Sequence, residues 1–327
     1  MKKPWPHWVR LFIGVIGCCN LPVSDSAAQS YPAKPIRILV GQGPGGAADS
    51  AGRIVAPKLS ESLGQPVIVE NRTGAGGSIA IERTATAPAD GYTLLLMNAG
   101  GTIHSALRTN LPYDLQRDLA PVAFIADSNF VLVVHPSVPA RNAKELIAIA
   151  RSRPGAFTYA SAGIGSSSHL ATALLGLMAD LKLVHVPYKG GSEAVTANAS
   201  GQVDMGFASV TAAVPLMKAS KVRPLAVSSM KRSAMIPSVP TLAESALPGY
   251  DRSSWFGILA PAKVPKDIIA RLNVSVTQIV NTPEVNGLLV KQALEPRTAT
   301  PGEFGAIIGR ELAQNVKLVG LTGAKAE

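Results

Sequence analysis

A chain of 327 residues, 47% hydrophobic and 16% charged, has the composition of a folded globular protein and the length for roughly two domains. The formal net charge is +10, but the basic residues are scattered, without runs or aromatic interleaving, which argues against a nucleic-acid surface. Cys18 and Cys19 are the only cysteines and are adjacent, which excludes a disulfide framework and a cysteine-based zinc site.

The N-terminal segment reads as an export signal rather than as fold. Lys2, Lys3 and Arg10 make a basic start, Leu11 to Cys19 an apolar core, and Ser26-Ala27-Ala28 a small-x-small cleavage site. The apolar run is too short to cross a bilayer, which takes about 20 residues. Cleavage after Ala28 removes both cysteines together with Trp5 and Trp8. It leaves 28 basic against 20 acidic residues, or +8. Val15-Ile16-Gly17-Cys18 offers an alternative, because it resembles a bacterial lipobox. Cleavage before Cys18 would leave a lipid-anchored protein. The periplasm is the expected location in both cases.

Short β-branched runs then alternate with helical patterns. Strands are expected at 36–40, 67–70 and 92–97, with helices at 50–63 and 78–86 between them. This βαβαβ order predicts a parallel sheet covered by helices. Pro57 is expected to kink or break the first helix, since a mid-helix proline costs ~3 kcal/mol. Two apolar runs, 122–126 and 130–134, are split only by Asp127-Ser128-Asn129, too close for a helical connection. Here the chain is expected to leave one sheet for another. Helices at 143–152, 168–179, 193–200 and 211–219 then alternate with strands at 158–160, 184–186, 203–207 and 224–228. A return strand at 255–260 carries Trp255, which suggests a hinge position, and two helices close the chain.

Several loops invite chemistry. Gly41-Gln42-Gly43-Pro44-Gly45-Gly46 fits G-x-G-x-x-G between a strand and a helix, and Glu70 ends the next strand. By itself this is a dinucleotide-binding pattern, and an NAD-dependent oxidoreductase is one reading. Pro44 weakens it by removing a backbone N–H. The same glycines and helix start also suit a carboxylate, with Asp49 as a loop-stabilising cap. Ser161, Gly163 and Ser166-Ser167-Ser168-His169, again between strand and helix, read as a second anion cradle made of neutral donors. His169 is placed as a secondary cleft residue; no G-x-S-x-G elbow surrounds these serines. Gly101 and Thr102 follow a strand end, where Thr102 can donate a hydroxyl, and Lys189 can add charge. The loop from Asn71 to Ser78 is assigned to packing. The five histidines show no metal-ligand spacing, so neither a metal nor a cofactor is expected.

Along the mature chain these residues resemble the Bug-type receptors, the extracytoplasmic substrate-binding proteins of tripartite tricarboxylate transporters. The resemblance rests on Pro44-Gly45-Gly46-Ala47-Ala48-Asp49, Val69 to Gly77, Ala89-Asp90-Gly91-Tyr92-Thr93, Leu111-Pro112-Tyr113-Asp114, Val184 to Gly190 and Ser254-Trp255-Phe256-Gly257. It implies an α/β periplasmic binding protein of the type II, hinged-clamp form, with two crossing strands. Its domains would be 29–127 plus 254–327, and 128–253, after a signal peptide at 1–28. It implies no enzyme. A monomer would capture a small carboxylate for the membrane subunits of such a transporter, or present it to a signalling partner if lipid-anchored. Gly45, Gly46 and Ala47 would hold one end of the ligand. The chain departs from the family at Gln42, often aromatic, and at Ala208-Ser209, where relatives usually carry Asp-Asn. One fewer carboxylate would then face the ligand.

Overall fold

The computed structural model describes residue 1, residues 31–108 and residues 110–322. The export signal, the lipobox and both cysteines lie outside them. The described residues from 32 onward form one compact unit. It opens with β1 (Ile36–Val40), α1 (Ala47–Leu63), β2 (Val67–Asn71), α2 (Ser78–Ala85), β3 (Thr93–Asn98) and α3 (Gly100–Leu107). β4 (Leu119–Ser128) and β5 (Phe130–Val134) follow, separated by Asn129 alone. Next come α4 (Ala143–Ser152), β6 (Thr158–Ser161), α5 (Ser167–Ala179), β7 (Val184–Pro187), α6 (Gly191–Ala199), β8 (Met205–Ser209), α7 (Val210–Lys218) and β9 (Arg223–Val227). The short α8 (Leu242–Ser245) precedes β10 (Ser254–Pro261), α9 (Lys266–Val280), α10 (Pro283–Lys291), β11 (Glu295–Pro296) and α11 (Pro301–Thr322).

The strands make two sheets, in the orders β11-β4-β10-β3-β1-β2 and β7-β6-β8-β5-β9. The first is mixed rather than parallel: β1, β2 and β3 are parallel, but β10 runs antiparallel to β3 and β4. The cause is connectivity. The chain re-enters this sheet from the second one, so β10 is not joined to a neighbouring strand by a strand–helix–strand crossover within the sheet. In the second sheet β6 is parallel to β7 and β8, while β5 is antiparallel to β8 and β9. The chain passes between sheets at Asn129 and again before Ser254. Two helices that cover the first sheet reach into the core of the second: Ile103 of α3 and Leu318 of α11 join the buried cluster of Leu132, Leu170 and Phe207.

α1 runs unbroken through Pro57. Ala48, Ala51, Val55, Leu59 and Leu63 recur at helical spacing and are buried, while Pro57 faces solvent. Water can therefore hydrogen-bond the carbonyl that the proline leaves without a donor, and burial of the opposite face offsets the cost. Three helices, not two, follow the return strand, with β11 pairing to β4 between the last two. Among the described residues no helix is long and apolar enough to cross a membrane.

Candidate binding site

A cavity of about 1040 Å³ opens at the carboxyl ends of β1, β2, β3, β6 and β7, where open α/β sheets place their ligands. One wall carries Gln42 before α1, Ala48 in its first turn, Asn98 at the end of β3, His104 in α3 and Arg108 just past it. The facing wall carries Gly163 to Ser167 before and at the start of α5, with Tyr188 and Lys189 after β7. Two helix N-termini thus meet the cavity from different sheets, each with first-turn N–H groups that have no partner within the helix.

The loop before α1 is folded onto its own side chains. Asp49 accepts from Gly45 N at 2.9 Å and Asn71 Nδ2 at 2.8 Å, and pairs with Arg53 at 3.0 Å. The Arg53 hydrogen bond is the main reason its carboxyl is held down to about 2. Gln42 Oε1 accepts from Ala48 N at 3.0 Å. Asp49 is therefore an internal brace, and Gly45, Gly46, Ala47 and Asp49 do not line the cavity; Gln42 does. Glu70, the acid of the dinucleotide pattern, is paired with Arg72 at 2.9 Å.

The second loop is braced similarly. Ser166 caps α5 by accepting from His169 N, Ser168 Oγ accepts from Ala162 N, and Ser161 Oγ meets His185 Nε2 at 2.6 Å. His169 Nδ1 accepts from Gly165 N at 3.0 Å, and its ring stacks 4.2 Å from that of His185. Gly163, Ser166 and Ser167 line the cavity; Ser161, Ser168 and His169 lie behind it and hold the loop in shape. Burial, then the neighbouring His185, pushes His169 down from 6.5 to about 4. A depressed histidine contributes stability above pH 6.5 that is lost as pH falls toward 4, at about 1.4 kcal/mol per pKa unit. Urea midpoints are expected to drop over that window. The drop should flatten in His169→Asn, whose side-chain oxygen keeps an acceptor near Gly165 N; an unchanged slope would remove His169 as its source.

Other expected residues fall elsewhere. Thr102 is fully buried and turned from the cavity, bonding Ala99 O at 2.7 Å, Glu311 Oε2 at 3.2 Å and Asn315 Nδ2 at 2.9 Å. Gly101 and Lys189 line the cavity. Ala208 is in a hydrophobic cluster behind it, and Ser209 caps α7. Neither is on the wall.

Sequence reasoning missed His104 and Arg108 because the glycine pair at 100–101, poor helix formers, made this segment read as a loop. The i, i+4 pair Ile103 and Leu107 was the signal for a helix. The loop at 71–78, assigned to packing, also forms wall. Gly76 has φ +65°, and a Cβ there would overlap the His104 imidazole. A Cβ on Gly41 would come within 2.7 Å of Gly77 Cα. These glycines let two loops and α3 approach closely enough to close the cavity floor. His104 is held neutral by burial and by Arg108, and its Nδ1 has no hydrogen-bond partner. Glu193 is the only acid on the wall among the described residues, against Arg108 and Lys189. The cavity is therefore net positive and lined with neutral donors, an environment for an anion. No group of three potential metal ligands occurs among the described residues.

A family profile described as "Tripartite tricarboxylate transporter family receptor" matches residues 51–323. Protein BugT of Bordetella pertussis is 36% identical over 319 residues, covering 97% of each chain. A solved structure, R. palustris Rpa4515 with adipate, is 33% identical with a TM-score of 0.71, covering 90% of this chain and 99% of the other. MatC from Rhodopseudomonas palustris with bound malate is 28% identical with a TM-score of 0.68, covering 88% and 100%.

Proposed function

The chain belongs to the tripartite tricarboxylate transporter family of receptors, and from that premise we propose that its cavity captures a small dicarboxylate outside the cytoplasmic membrane. The observation that carries the reading is the cavity itself, with the first turn of α5 on one wall and a cation on each, Arg108 on one side and Lys189 on the other. Solved relatives hold adipate and malate, both dicarboxylates. Arg108 anchors one carboxylate, while the first turn of α5 with Ser166 and Ser167 receives the other. Neutral backbone donors bind an anion without the slow release of a buried ion pair. Lobes of 29–127 plus 254–327 and of 128–253 close on the ligand, because only the closed state lets it touch both walls. Membrane subunits of a tripartite transporter receive the solute, residues 1–28 direct export, and no reaction is catalysed.

Isothermal titration of the full chain with adipate, malate, their monoamides and NAD tests this. One equivalent of a dicarboxylate should bind, with the monoamides weaker by roughly tenfold or more, the worth of one charge-assisted hydrogen bond. Binding of NAD alone, or of no carboxylate, would overturn the reading.

A further inference from the structure

A second cavity, of about 680 Å³, lies where the chain passes between the two sheets. Its wall takes Asn129 from the β4–β5 crossing, Lys231 from beyond β9, Arg252 from the approach to β10, and Arg310 and Glu311 from α11. None of these residues lines the first cavity.

Arg252 is 3% exposed, yet neither Nη1 nor Nη2 has a hydrogen-bond partner. Its ion-pair partner is Glu311, whose Oε1 stands 3.7 Å from Nη1, beyond hydrogen-bond reach. Glu311 Oε2 is already engaged, accepting from Trp255 Nε1 at 2.6 Å and Thr102 Oγ1 at 3.2 Å. Asn129, 5% exposed, presents an Oδ1 that is likewise unpartnered. A buried guanidinium with idle donors is expensive to maintain, and its planar fork matches the oxygens of an oxyanion. Lys231 and Arg310 add positive charge at the exposed rim. Asp127, Asp251, Glu295 and Glu311 share this wall with Arg252, Lys231, Arg310 and Arg297, and Asp127 is paired with Arg297 at 3.2 Å. Burial pushes the carboxyls of Asp127, Asp251 and Glu311 up from the ordinary carboxylate range, which softens their repulsion of an incoming anion.

We propose that this cavity is a second binding site, for a small oxyanion, anchored by Arg252. Asn129 accepts from a hydroxyl of the same ligand, a pairing that hydrogen phosphate satisfies. The site does not depend on what the first cavity binds. Because its wall joins both passages between the sheets, an occupant ties them together and biases the movement of one sheet against the other.

The test is isothermal titration of the full chain with inorganic phosphate at fixed ionic strength, on the wild type and on Arg252→Met, Asn129→Asp and Arg108→Gln. The wild type and Arg108→Gln should each bind one equivalent. Arg252→Met, and Asn129→Asp, which aims a carboxylate at the site while leaving Arg252 in place, should each weaken it by about tenfold or more. If Arg252→Met fails to fold, Asn129→Asp alone decides the matter. No saturable phosphate binding by the wild type would overturn the proposal. So would loss in Arg108→Gln with retention in Asn129→Asp, which would move the phosphate to the first cavity.

Discussion

Leucine in place of Glu311 is expected to lower the free energy of unfolding by about 3 kcal/mol. Glu311 binds three elements at once: Arg252 before β10, Trp255 on β10 and Thr102 on α3. Removing it leaves a buried guanidinium without a counterion, a loss of about 3–5 kcal/mol for such pairs. The lower end applies because the adjoining cavity can admit water to Arg252. Two buried donors, Trp255 Nε1 and Thr102 Oγ1, also lose their shared acceptor, although Thr102 keeps Ala99 O. Glutamine should cost somewhat less, since its Oε1 still accepts from Trp255 and Thr102 although the charge facing Arg252 is lost. Glu311→Leu combined with Arg252→Met should recover part of the loss, because an apolar pair in place of a buried ion pair is often neutral. Urea denaturation is the measurement, with the midpoint falling and the slope unchanged. A drop of under about 1 kcal/mol would show that the network holds nothing together.

Arg108→Gln should weaken the proposed dicarboxylate affinity by about 10- to 100-fold, and Lys189→Gln by less than about tenfold. Both cations line the same cavity, so burial separates them. Arg108 is half-buried just past α3, where its guanidinium makes stronger, directional hydrogen bonds to a carboxylate. Lys189 is exposed and therefore screened, and acts mainly on the encounter rate. Titration at low and high salt distinguishes the two: Lys189→Gln should remove much of the salt dependence, and Arg108→Gln most of the affinity. Equal losses would refute this division of roles.

Much of the fold was legible in the chain. The β-branched runs at 36–40 and 130–134 and the amphipathic spacing of 143–152 specify their elements by local pattern alone, and the structure has them at these bounds. The passage between sheets near Asn129 was also readable, since no helix fits in the three residues between the apolar runs 122–126 and 130–134. Pro57 misled because the penalty for a mid-helix proline depends on whether its face is wet, and only packing decides which face that is. The candidate site was legible as loops and not as a surface. Glycines and serines at strand ends mark where backbone can approach a ligand. Which donors remain available depends on side chains that fold back on them, as Asp49 does on Gly45 and His169 on Gly165.

The sequence by itself determined an α/β chain crossing between two sheets, with glycine-rich strand ends suited to an anion, because these follow from local pattern and covalent order. The tertiary structure decided which residues face that anion. It placed Arg108 and His104 on the cavity wall by turning 100–107 into a helix, and withdrew Thr102 and Ser161 into hydrogen bonds behind it. It also assembled the buried cluster of Thr102, Arg252, Trp255 and Glu311, which joins three segments distant in sequence. Periodicity cannot foresee such a cluster, since its members meet only once both passages between the sheets and the last helix are in place.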